Sequence, residues 1–168
     1  MEDYKEFLTV RIPQLLTELP ANQKPLWGAM TAQQMVEHLH MVIGASSVLA
    51  KGNEVTTAIQ IEWKNKIILG DIPMPKFLEN PLYKNGMPAY ENPTISQAAD
   101  KLVQRLHNFY RIYESAEQPT NYHIFFGLLS FTELQRFHWK HFTHHFTQFG
   151  MLPITPADLA ELKAKNLV

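Results

Sequence analysis

Apolar residues recur at helical spacing along most of this chain, and prolines and glycines divide the recurrences into separate segments. Leu8, Ile12, Leu15, Leu16 and Leu19 mark the first. Pro13 interrupts it, so its regular part is expected to begin near Ile12 with the proline in the first turn. Thr31 and Gln34 form a capping box, in which the hydroxyl and the amide each satisfy an orphan backbone N–H. From there residues 30–50 read as a helix of about five turns. Residues 54–70 suit either a strand or a helix. A helix over 57–69 is preferred, because no second strong strand exists to pair with it.

Residues 70–93 hold Pro73, Pro75, Pro81, Pro88 and Pro93 with Gly70 and Gly86, and are expected to be a long loop. Such a loop serves either as a lid or pocket wall, or as a rigid crossover between helices. Thr94 and Gln97 open a further helix to about residue 117, with a core stripe of Ile95, Ala98, Leu102, Leu106, Phe109 and Tyr113. A connection carrying Tyr122, His123, Phe125 and Phe126 follows. Ser130 and Glu133 then cap a helix that Gly150 and Pro153 stop, and Thr155 starts a short terminal one. Four long apolar stripes without a convincing strand predict an all-α four-helix bundle, with a long Pro-rich crossover loop and short extra helices, in one domain over residues 1–168.

Candidate chemistry concentrates in the last long helix, where HWKHFTHHFTQFG (138–150) holds four of the eight histidines. At about 100° per residue, His145 falls about 40° and His138 about 60° from His141, on the side shared with Leu134, Phe137, Gln148 and Phe149. An imidazole on a buried face must satisfy both nitrogens, through hydrogen bonds or a metal. The i, i+4 pair His141 and His145 has the spacing at which two side chains grip one ion. On the second helix His38 turns toward Met35, Leu39 and Val42, whereas His40 falls on the opposite side. His38, His141 and His145 are therefore the candidate ligands of a divalent ion. Three neutral imidazoles suit Zn, Ni, Fe or Cu and leave a position for water or substrate. His138 reads as a packed or supporting histidine, His144 as an edge residue and His123 as a satisfied loop residue.

A formal charge of −1 gives no electrostatic footprint for nucleic acid or an anionic membrane. Cysteine is absent, which excludes disulfides, thiolate chemistry and cysteine-ligated zinc and suits a cytoplasmic setting. The polar N-terminus has no apolar leader, and no apolar run approaches a bilayer span. Phe142 follows His141, so no HExxH motif supplies a built-in glutamate base. Glu37, Tyr83 and Tyr90 are candidates to assist a metal-activated water. The leading expectation is a metal-dependent enzyme acting on a small molecule. The alternatives are a non-catalytic metal- or small-ligand-binding protein and, more remotely, haem held by two opposed histidines.

The stretches MTAQQMVEHLHM (30–41) and FFGLLSFTELQRFHWKHFTHHFTQFG (125–150) resemble the DinB/YfiT-like superfamily. The match is closest to a branch of uncharacterised function with a K-H-x-x-H-H-x-x-Q-F-G ending. The resemblance implies an up-down-down-up four-helix bundle holding a divalent metal, often Zn or Ni with Fe or Mn as further options. By position, the ligands it implies are His38, His141 and His145. It also implies kinship with metal-dependent hydrolases and with transferases that use bacillithiol or mycothiol, and a homodimer. Phe146 and Thr147 stand where the commoner ending has arginine and glycine, a departure from the thiol-using pattern.

Overall fold

The computed structural model describes residues 3–76 and 88–165. Helix α1 (residues 4–18) starts earlier than its proline suggests. Asp3 caps it, accepting from the N–H groups of Lys5 and Glu6. The turn Phe7–Arg11 then widens into π register, with the Ile12 N–H reaching back to the Phe7 carbonyl. Pro13 has no N–H to donate and would crowd the carbonyl four residues back, and this widened turn carries the helix past it.

Helix α2 (Ala32–Ser46) begins at the Thr31–Gln34 capping box. Helix α3 (residues 58–69) opens on a second capping box, Thr57 with Gln60, and ends in π register over Lys64–Leu69. Its C-terminal carbonyls meet a side chain from far along the chain. The Lys140 ammonium donates to the Ile67, Gly70 and Ile72 carbonyls at 2.6, 2.6 and 2.9 Å, so its three N–H groups are all matched. Helix α4 (Ile95–Glu114) buries Ala98, Leu102, Leu106, Phe109, Tyr110 and Tyr113, and packs along α2. The Tyr113 hydroxyl donates to the Ser46 carbonyl at 2.7 Å, closing the end of α2.

Between α4 and the histidine helix the chain forms a hairpin, β1 (Thr120–His123) and β2 (Gly127–Ser130), with Asn121 opposite Leu129 and His123 opposite Gly127. Gly127 has φ +68°, and a Cβ there would come within 2.6 Å of the Thr56 hydroxyl. Asn121 donates to the Ala45 and Val48 carbonyls, tying the hairpin to the end of α2. Ser130 ends β2 and caps α5 (Phe131–Gln148), so the hairpin fixes where the histidine helix starts. Helix α6 (Pro156–Ala164) follows, capped by Thr155.

The expected all-α, up-down-down-up four-helix bundle is therefore corrected. The described residues form six helical segments and a two-stranded antiparallel sheet around one core. The sheet escapes a periodicity reading because each strand has only four residues, too few for alternation to stand out against Phe125, Phe126 and the leucines beside them. No helix among the described residues is long and apolar enough to cross a membrane.

Of the expected long loop, residues 77–87 lie outside the described residues, Tyr83 among them. The part that returns to α4 is anchored by Glu37. Its carboxylate accepts from the backbone N–H groups of Glu91 and Asn92 (3.0 and 2.9 Å), from the Asn92 amide (3.0 Å) and from the Gln33 amide (3.2 Å). Burial pushes this carboxyl up, but the four donors outweigh it and hold its pKa below the ordinary value of 4.5. Glu37→Gln is expected to cost about 2 kcal/mol at pH 7, since hydrogen bonds to a charged acceptor are the stronger kind. In a chain of this size that lowers the melting temperature by about 4–8 °C. A carboxyl with a depressed pKa stabilises above its unfolded-state value and stops doing so as pH falls through the folded one. The gap between wild type and variant should therefore close below pH 4.5, as thermal melts from pH 7 to pH 3 will show.

Candidate metal centre

From Phe137 to Phe149, α5 is covered on almost every side, so its polar side chains have to find partners inside the protein. His141 and His145 project one turn apart from this helix and are both buried. His38 comes from α2. Its burial stripe runs through Met35, Leu39, Ile43 and Ser46 and is centred about 100° from His38. His38 consequently stands half-buried at the rim of the core.

The three rings meet. His141 Nε2 lies 3.1 Å from His38 Nε2 and 3.1 Å from His145 Nε2. The ligand atoms of all three lie within 4.8 Å of one another, so the cluster can form a metal-binding site. Two nitrogens on a tetrahedral ion with bonds of 2.0–2.1 Å stand about 3.3 Å apart, and about 2.9 Å apart at a right angle. The 3.1 Å separations fall between the two.

Proton bookkeeping shows why an ion suits this arrangement. The Gln148 amide N–H₂ donates to the Trp27 carbonyl at 2.7 Å, which turns its oxygen toward His145. His145 Nδ1 lies 2.8 Å from that oxygen and must carry the proton, leaving Nε2 as a lone pair aimed at the cluster. His141 Nε2 can satisfy this lone pair by donating one proton, but its single N–H cannot serve His38 Nε2 equally well. A cation, by contrast, accepts lone pairs from several rings together.

The electrostatics agree. Burial, then the charges of His145 and His144, push His38 down to about 3. Burial holds His145 at about 4 despite its bond to Gln148. His141 lies well below the ordinary 6.5, through burial and then its neighbouring histidines. All three are neutral at pH 7, the state that ligates.

The support of His145 is built by residues 26–28. The Leu26 N–H donates to the Gln148 carbonyl, and Gly28, at φ +82°, leaves only 2.8 Å between a would-be Cβ and the Gln148 amide nitrogen. The Trp27 ring lies 5.6 Å from His144, edge-on, and 5.5 Å from the Lys76 ammonium. Lys76 in turn pairs with Asp158 and Glu161 of α6. Periodicity points to none of these residues, because their contacts join segments far apart in the chain.

The other candidates have different places. His138 is fully buried among Phe109, Phe137 and Phe142. His123 ends β1, stacked on Phe126 with Phe137 against its edge. His144 is half-buried against Trp27 and hydrogen-bonded to the Met74 backbone, more enclosed than an edge residue. His40 is half-buried too, beside Arg105 and Lys101 of α4. Glu37 is committed to Glu91 and Asn92, and the exposed Tyr90 hydroxyl bonds to Thr31, so neither stands at the cluster as a base.

Gln148→Leu and Gly28→Ala should each weaken divalent-ion affinity by about 10–100-fold, the usual cost of losing the partner of a ligating histidine, as measured by competition with a chromophoric chelator. Affinity in wild type should stay level from pH 8 to about pH 5 and fall toward pH 4, where His145 and then His38 begin to take up protons. Histidines of ordinary pKa would lose the ion already near pH 6.5, and that result would contradict the burial of these rings.

No family model, no curated protein and no solved structure matches this chain. The centre therefore stands on its own residues.

Proposed function

We propose that this chain is a metal-dependent enzyme acting on a small molecule, with one divalent ion held by His38, His141 and His145. The observation that carries this reading is the convergence of three ring nitrogens within 4.8 Å, His141 Nε2 standing 3.1 Å from each of the other two, with the His145 lone pair fixed by Gln148. Zinc and nickel are the ions an all-imidazole set favours. Iron follows, and manganese, which prefers oxygen ligands, comes last. When bound, such an ion supplies Lewis acidity, bringing a coordinated water or thiol toward ionisation at neutral pH and polarising a carbonyl or phosphoryl oxygen.

Three protein ligands leave a coordination position for a reactant, the pattern of catalytic rather than closed structural sites. The position of His38 at the rim of the core gives that site a solvent-facing side. The resemblance of residues 30–41 and 125–150 to the DinB/YfiT-like superfamily supports the same reading and directs the reaction toward hydrolysis or thiol-dependent transfer. Phe146-Thr147 weighs against the thiol branch. Gln148 orients His145, and Phe137, stacked on His141 at 13°, holds that ring in plane.

Purified protein is expected to carry about one divalent ion per chain by elemental analysis, and His141→Ala to carry almost none. A variant as fully loaded as wild type would remove the site. Stripping the ion from wild type should lower its melting temperature, by about 5–10 °C where the ion had been present at a hundred times its dissociation constant. Turnover of ester, amide or thiol-acceptor probes should disappear with the ion. A melting shift with no turnover on any of them would assign the ion a structural role.

A further inference from the structure

His138 is chemically out of place. It has no exposed surface, and its neighbours Phe109, Phe137 and Phe142 enclose it at ring-centroid distances of 5.2, 4.9 and 6.4 Å. Among the described residues neither of its ring nitrogens has a hydrogen-bond partner. A phenylalanine would fill such a cage without leaving polar atoms unpaired, so packing alone does not account for an imidazole.

One turn further along α5, on the same face, His141 has the complementary need. With Nε2 directed at the cluster as a lone pair, its proton resides on Nδ1, which is buried and likewise without a partner among the described residues. His145 meets the same requirement through Gln148. A ligating histidine nearly always donates its second N–H to a carboxylate, a carbonyl or a water. Residues three apart on a helix are neighbours on one face, separated by about 4.5 Å along the axis.

We infer that His138 is a positioning residue for the metal centre: one buried water accepts the His141 Nδ1 proton and donates to a ring nitrogen of His138, fixing the tautomer in which His141 binds the ion. The other His138 nitrogen carries its proton toward the aromatic cage, whose π faces are weak acceptors. Because it takes His141 as a ligand, the inference depends on the proposed metal site, and the experiment separates the two.

Zinc affinity and metal-free melting temperature are measured for wild type, His141→Ala, His138→Phe and His138→Gln. His138→Phe is expected to melt at or above the wild-type temperature while binding zinc about 10–100-fold more weakly. His138→Gln, which keeps a donor and an acceptor, should bind close to wild type. If His138→Phe binds zinc as tightly as wild type while His141→Ala does not bind, His138 is only a core residue and this inference fails with the metal reading intact. If folded wild type binds no zinc, nickel or iron, both fail. Should His138→Phe not fold, proton NMR of the zinc-loaded wild type decides. A cross-peak between the His141 Nδ1 proton and a bound water supports the bridge, and a contact from that proton to a protein acceptor alone overturns it.

Discussion

The tautomer of His145 governs what the histidine cluster can be. It is set outside the cluster, by a chain running from the Trp27 carbonyl through the Gln148 amide to His145 Nδ1. Reversing the amide would place an N–H₂ against Nδ1, move the proton to Nε2 and turn a convergent lone pair into a donor. The His141 nitrogen, 3.1 Å from each of the other two, would then sit in an ordinary polar network. With the amide held as it is, the His145 lone pair faces the cluster, the orientation that a metal-binding histidine needs. The conformation of Gly28 is part of the same constraint, since any side chain there would meet the amide that makes the choice.

Much of the remaining fold supplies partners for polar side chains that the burial of α5 encloses. Lys140, Gln148 and His145 all find their partners inside the protein. Lys140 does so by closing the open end of α3, so a charge that would be costly in the core becomes the cap of another helix. Lys76 plays a related part at the opposite end, drawing α6 against Trp27 through Asp158 and Glu161. The hairpin fixes the start of α5 through Ser130 and sets His123 against Phe137, the ring that stacks on His141. These ties reach across the chain, and together they set the rotation of α5 on which the histidine geometry depends.

What is legible in the sequence is local. Capping boxes at Thr31, Ser130 and Thr155 mark helix starts, because the signal lies within four residues. The i, i+4 spacing of His141 and His145 and the inward turn of His38 are enough to nominate the three rings that the structure brings together. The proline in α1 has the sequence signature of a boundary, but a π turn beside it lets the helix continue. The four-residue strands lack the length for a period to emerge, so the pattern points to an all-helical bundle in their place. Trp27, Gly28 and Lys76 are invisible for a different reason. Their roles arise only when the ends of distant segments meet, and no spacing rule encodes that.

His38 illustrates how burial and access are reconciled. Fully inside the α2 stripe, it would complete a sealed cage of the kind that suits a structural ion. Fully outside, it would be mobile and would take up a proton already near pH 6.5, a poorer ligand. Standing about 100° from the centre of the buried stripe, it is desolvated enough to stay neutral down to about pH 3, yet it borders solvent. The two ligands on α5 have no such freedom, since their helix is enclosed. An ion here would be fixed from one side by rigid, supported rings and approached from the other past a single half-buried one. Binding energy would be anchored in the core, while the face open to a reactant would be the face of α2. An ion held in that asymmetric way would differ from one that only staples two helices together.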